Sequence, residues 1–224
     1  MNAITSHLRL WQLISPALPV GAYAYSQGLE AAVEAGWVSD ETSARGWIGG
    51  VASNSIARLD LPLLARMFQA WQTDDEDEVK RWSRFLLASR ESSEIVAEDR
   101  HLGQALARLL SDLQVSQADA WRQNEWCNFP AMFSLAAQQW SIPLHQTLSG
   151  YLWAWCENQV AAAIKLVPLG QTAGQRILSH LIGCIPLYVD AALRLADDEI
   201  GMICPGLAIA SARHETQYSR LFRS

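Results

Sequence analysis

Glu94, Glu98 and His101 stand four and three residues apart, a spacing that puts all three on one face of a helix. Glu98-x-x-His101 is also the spacing by which a helix offers a carboxylate and an imidazole to a di-metal centre. Such a centre needs a second Glu-x-x-His and further carboxylates on facing helices, and the chain has no second copy. A solvated or interface face is therefore the expected reading. His180 and Cys184 are four apart and would suit a soft metal, but Leu178, Leu181, Ile182 and Ile185 surround them, so a core or half-buried pair is expected. The GxxxxGK[ST] phosphate loop is absent; the nearest string, Gly170-Gln171-Thr172-Ala173-Gly174-Gln175-Arg176, lacks its lysine and hydroxyl. No GxSxG elbow occurs either. Tyr23, Tyr25, Glu30 and Glu94 are the acid/base groups left for a helical enzyme, and no two of them are spaced as a catalytic pair. An unrecognised acid/base site stays open as the alternative function. The chemistry on offer is recognition, with no catalytic residue, no cofactor and no metal cage.

The strongest recognition signal is Ser211–Ser224, SARHETQYSRLFRS. Arg213, His214, Arg220 and Arg223 stand against the single acid Glu215, with Tyr218, Leu221 and Phe222 among them. A basic segment with three large apolar groups is poorly suited to staying free in water, and either packs on its own domain or docks on a partner. If Thr216–Phe222 turns helical, Tyr218, Leu221 and Phe222 share a face and Arg220 and Arg223 flank it, ready for bidentate contacts with carboxylates. Lys165 is the second signal, a cation near the end of a long helix, followed by the Pro168–Gly170 turn that exposes Gln171.

Composition limits the classes. Half of the 224 residues are hydrophobic and 18% charged, which predicts one large core; ten tryptophans serve mostly as packing anchors. The net charge of −6 argues against nucleic-acid binding, and Met1–Gly50 carries only Arg9 and Arg45 as fully charged bases, which excludes an N-terminal basic helix-turn-helix. Four scattered cysteines and no targeting stretch predict a reduced, cytoplasmic chain. Leu144–Leu169, the most apolar long stretch, is interrupted by Glu157-Asn158-Gln159 and Lys165, so no membrane span is expected.

The elements that must position these groups are helical throughout: an all-α, single-domain bundle of roughly nine to ten helices over 1–210, with 211–224 as a docking tail. The periodicity predicts helices at Leu8–Ile14, Tyr23–Ala35 (closed by Gly36), Asp40–Ile56 with Ser39 as cap, and Pro62–Gln72 started at Asp60. Further helices are expected at Val79–Ser89 behind the acidic run Asp74–Glu78, then Glu91–Asp112, Pro130–Trp140, Pro143–Val167 and Gly170–Ala196, the last kinked at Pro186. Ile95, Leu102 and Leu106 form an apolar stripe on Glu91–Asp112 and are the expected interface of a two-fold dimer.

Three strings in order, Leu13–Glu30 (LISPALPVGAYAYSQGLE), Lys165–Gln171 (KLVPLGQ) and the terminal ARHETQYSRLFRS, resemble the urease accessory protein family UreF. The likeness spans nearly the whole chain and is weakest between residues 115 and 143. It implies an all-α, dimeric protein without enzymatic activity that bridges UreD (also called UreH) to the GTPase UreG for nickel delivery to the urease apoprotein. By the same likeness Ser15–Glu30 (with Tyr23, Ser26 and Glu30), Lys165 and Gln171 face the GTPase, and Arg213–Ser224 binds UreD. Gln114–Ile142 departs from the family pattern, and contacts there are left unassigned.

Overall fold

The computed structural model describes residues 3–224. Among these are ten α-helices and no strand. They are α1 (Ala3–Leu13), α2 (Leu29–Glu34), α3 (Glu41–Val51), α4 (Leu61–Gln72), α5 (Glu76–Ala88), α6 (Ser93–Asp112), α7 (Phe129–Gln139), α8 (Leu144–Leu166), α9 (Gln171–Arg194) and α10 (Pro205–His214). The all-α expectation holds.

Helix α4 is the axis of the core. Leu61, Leu63, Leu64, Ala65, Met67, Phe68 and Trp71 are all buried, and α5, α7, α8 and α9 pack around it. A helix apolar on nearly every side is stable only when enclosed in this way. Long α8 and α9 run against each other beside it. Among the described residues, α9 alone is long and apolar enough to cross a membrane; in the fold Ile177, Leu181, Ile185 and Val189 are buried and Ile182 and Leu187 are exposed. Pro186 lies inside α9.

Residues 41–72 form one continuous helical path, interrupted by a π-helical stretch at Ala52–Asp60. The expected Asp40–Ile56 helix therefore runs on, and Asp60 caps nothing. Pro62 lacks the N–H that would bond the Arg58 carbonyl. That carbonyl accepts the Gly201 N–H at 3.1 Å instead, and the Asn54 carbonyl accepts that of Ile203 at 3.3 Å. A strap following α9 thus satisfies the carbonyls that the widened turns leave open. The cap of α3 is Asp40, not Ser39: its carboxylate accepts the Ser43 N–H at 2.7 Å, and the Ser43 hydroxyl reaches back.

The expected helix Tyr23–Ala35 is broken. A 3₁₀ turn covers Ala22–Ala24, the chain extends at Tyr25, and α2 begins after Gly28. Gly28 sits at φ +77°, and a Cβ there would meet the Ser211 nitrogen at 3.1 Å and the Ala210 Cβ at 3.2 Å. The close approach of α10 therefore leaves no room for a side chain at the break, and α10 itself lay outside the expected helices. Gly36, at φ +74°, caps the end as anticipated.

The stripe expected to form a dimer interface is used up within the chain. Ile95, Leu102 and Leu106 are buried, because α6 packs on α7 and on the 3₁₀ turn Ser116–Trp121. Gly103 lets α6 and α7 close: a Cβ there would lie 2.4 Å from the Asn128 carbonyl carbon. Residues 216–222 are bends and turns, not a helix. Tyr218 and Leu221 point to solvent while Phe222 points inward, so the expected shared face does not form.

Candidate partner-docking site

Four helices apart in chain order but adjacent in space, α2 and α6 supply three carboxylates. Glu30 comes from the first turn of α2, and Glu94 and Glu98 come from one face of α6. Together they receive the basic tail. Glu30 Oε1 accepts the Leu221 N–H at 2.6 Å and Oε2 accepts that of Phe222 at 2.8 Å. Glu94 meets Arg220 at 2.6 Å and the His214 Nδ1 at 2.6 Å, while His214 Nε2 lies 3.4 Å from Glu30. Glu98 accepts the Ser224 hydroxyl at 2.7 Å. The bonds that Glu30 and Glu94 receive are charge-assisted, the stronger class.

The tail also pairs with the Leu13–Glu30 block. Ser26 bonds the Ser224 oxygen through its own N–H at 2.8 Å and its hydroxyl at 2.5 Å, and the Arg223 N–H reaches the Ala24 carbonyl at 2.8 Å. The two segments singled out separately in the sequence are thus one surface. Gln27 joins it to α6 and α8: its amide donates to Glu98 at 2.8 Å and accepts from the Trp155 indole at 2.6 Å. Those two bonds hold Gln27 at φ +50°, an unusual conformation for a residue with a side chain.

Each remaining sequence candidate has a definite place. Tyr23 is half-buried, and its hydroxyl donates to Glu157 at 3.2 Å; burial first, then that carboxylate, raise its pKa to about 12. Gln171 is exposed at the first turn of α9. The Lys165 ammonium lies 5.5 Å from the centre of the Phe222 ring. Arg213 stacks 5.4 Å from Trp37. His214 and Phe222 are buried, so in this conformation they brace the tail and present nothing outward. Tyr218 is fully exposed and Leu221 is 65% exposed, with Arg220 and Arg223 beside them. The outward face is apolar and basic.

Tyr25 meets His101 at 3.3 Å, which with the tail contacts accounts for every member of the Glu94, Glu98, His101 face. His180 and Cys184 lie 4.0 Å apart on α9. Among the described residues no three His, Cys, Asp or Glu side chains converge as a metal site.

Beneath the block lies a small, half-open cleft of about 70 Å³, lined by apolar Leu18, Leu102 and Phe129 and by polar Gln27, Glu98 and Arg90. Arg90 was not foreseen from sequence. It forks onto Asp60 at 2.7 and 3.0 Å and bonds Asp99 at 2.7 Å, while the Tyr151 hydroxyl donates to Asp60 at 3.2 Å. Burial alone would lower its pKa, but the two aspartates hold it well above the usual value. Burial raises Asp99 against the pull of Arg90. Burial likewise lifts Glu98 from its ordinary 4.5 to about 8, against the lowering effect of Ser224 and Gln27. The only local sign of this network in the sequence was Asp60 two residues before Pro62, which reads as a helix start.

The UreF family model matches residues 38–182. The urease accessory protein UreF of Alkalilimnicola ehrlichii is 53% identical over 216 residues, which cover 96% of this chain and 95% of that protein. UreF of an Azoarcus species is 53% identical over 222 residues, 97% and 95% of the two chains. UreF of Pseudomonas putida strain W619 is 50% identical over 224 residues, the full length of both. On a family model spanning most of the chain and relatives half identical from end to end, this chain belongs to the UreF family of urease accessory proteins.

Proposed function

We propose that this protein acts in the cytoplasm as a non-catalytic adaptor in urease maturation, binding UreD/UreH through its tail and the GTPase UreG through the neighbouring block, so that GTPase state is coupled to nickel insertion into the urease apoprotein. The observation that carries this reading is the outward face of the tail. Tyr218 and Leu221 expose large apolar groups between arginines, on a backbone held rigid by Glu30, Ser26 and Ala24. An exposed aromatic anchor on a pre-ordered backbone loses little entropy on binding. Deleting Thr216–Ser224 is not the clean test, because it would strand the buried Glu30 and Glu98. The double variant Tyr218→Ala/Leu221→Ala is cleaner. Both side chains are exposed, so thermal unfolding should stay within about 0.5 kcal/mol of the parent per site, while co-purification with UreD is lost. Retained capture of UreD would move the docking surface elsewhere.

A homodimer, which the family likeness implies, needs a face other than the buried α6 stripe. Leu8 and Trp11 on α1 and Ile182 and Leu187 on α9 are all exposed, and Leu10 of α1, Gly150 and Trp153 of α8 and Ile182 of α9 line one groove. Apolar faces of this kind are where copies of a chain meet. Light scattering should give a dimer for the parent chain and a monomer for Trp11→Glu/Leu187→Glu; a monomeric parent at tens of micromolar, or a dimeric variant, refutes this placement.

A further inference from the structure

The family likeness implies that Glu30 and Lys165 face the GTPase, yet both are turned toward the tail. The Glu30 carboxylate is 7% exposed as a residue and uses one oxygen on the Leu221 amide and the other on the Phe222 amide. Two consecutive backbone amides on one carboxylate form a fixed fork, and it sets the direction of both residues. Lys165, in the last turn of α8, lies over the ring of Phe222 at 5.5 Å. Phe222 is thereby held through its backbone by α2 and through its ring by α8, and is 6% exposed. The side chain next to it, Leu221, is driven outward by the same arrangement.

We infer that Glu30 and Lys165 are positioning residues for the tail: they clamp Phe222 between α2 and α8 and act on partner recognition by fixing the outward face of Tyr218, Arg220, Leu221 and Arg223, not by contacting the GTPase themselves. This deepens the adaptor reading and rests on it for the partner's identity, whereas the clamp itself stands on the isolated chain. A cation over an aromatic face contributes modestly where it is exposed, so losing Lys165 leaves the core intact and loosens only the segment it covers. Local opening of this sort is what amide exchange reads.

The test uses the full chain with Lys165→Ala, Lys165→Arg, Phe222→Leu and the double variant Lys165→Ala/Phe222→Leu. In the isolated protein, Lys165→Ala should speed exchange of the Leu221 and Phe222 amides by roughly two- to tenfold, with core amides unchanged. Lys165→Arg should restore protection, since a guanidinium also stacks on a ring. Capture of UreD, the partner proposed for the tail's outward face, should fall and recover in the same order. In the Phe222→Leu background, Lys165→Ala should add nothing to either readout, because the two act through one contact. Two outcomes overturn the clamp: weakened capture with tail exchange unchanged, or losses from Lys165→Ala and Phe222→Leu that add. If the parent chain captures no UreD at all, the adaptor reading fails, and the exchange comparison still decides the clamp.

Discussion

Arg90→Met should cost this protein on the order of 3–5 kcal/mol, the usual result of removing one partner from a buried ion cluster. The substitution leaves Asp60 and Asp99 facing each other in the interior with no cation between them. Tyr151 donates one hydrogen bond to Asp60, which cannot replace the three bonds from the guanidinium. Against a domain stability of about 5–15 kcal/mol, that loss should show as a much lower urea midpoint or as insoluble protein. The triple variant Arg90→Met/Asp60→Asn/Asp99→Asn removes the stranded charges as well. It should recover a large part of the loss, because the penalty lies in the unpaired carboxylates. A single variant as stable as the parent would mean that water reaches the cluster through the adjoining cleft.

Glu98 gives the second large effect, and it depends on pH. Its pKa is about 8 in the fold and near the ordinary 4.5 once the chain unfolds. Between those values the native state holds a proton that the unfolded chain has released. Stability contributed by this group is therefore complete below pH 4.5 and falls as pH rises toward 8, at about 1.4 kcal/mol per unit. Glu98→Gln imitates the protonated form and can still accept from Gln27. Urea unfolding at pH 5 and pH 8.5 should show the parent losing several kcal/mol more than the variant between the two values. Parallel pH profiles would show that Glu98 is hydrated and does not carry this proton.

Much of the bundle could be read locally. Asp75 before α5, Ser92 before α6 and Asn128 before α7 each accept the N–H three residues on, so the start of each helix is written within its own first turn. The apolar periodicity of 61–72 and 144–166 likewise announces its helices. What escaped the sequence depends on distant segments. At the break, a Cβ on Gly28 would lie only 3.1 Å from the Ser211 nitrogen of α10, and nothing near residue 28 announces that neighbour. The apolar stripe of α6 was visible, but whether it meets a second copy or α7 is not a property of the stripe. At the site, the basic tail and the Glu94–Glu98 pair were each evident, and only the fold brings them together. Lys165 stood out as a helix-end cation, while its aromatic partner lies 57 residues further along.

The pairing of Ser26 with Ser224 spans 198 residues. During synthesis the Leu13–Glu30 block leaves the ribosome well before the segment that completes it, by roughly ten to forty seconds at usual elongation rates. In that interval Glu30 and Glu98 lack the tail's N–H and hydroxyl donors, and the block has no settled shape to offer. A chain stopped short of residue 224 stays in that condition. The surface formed by block and tail is therefore among the last parts of the fold to close, after the helices that lie between Ser26 and Ser224 in the chain.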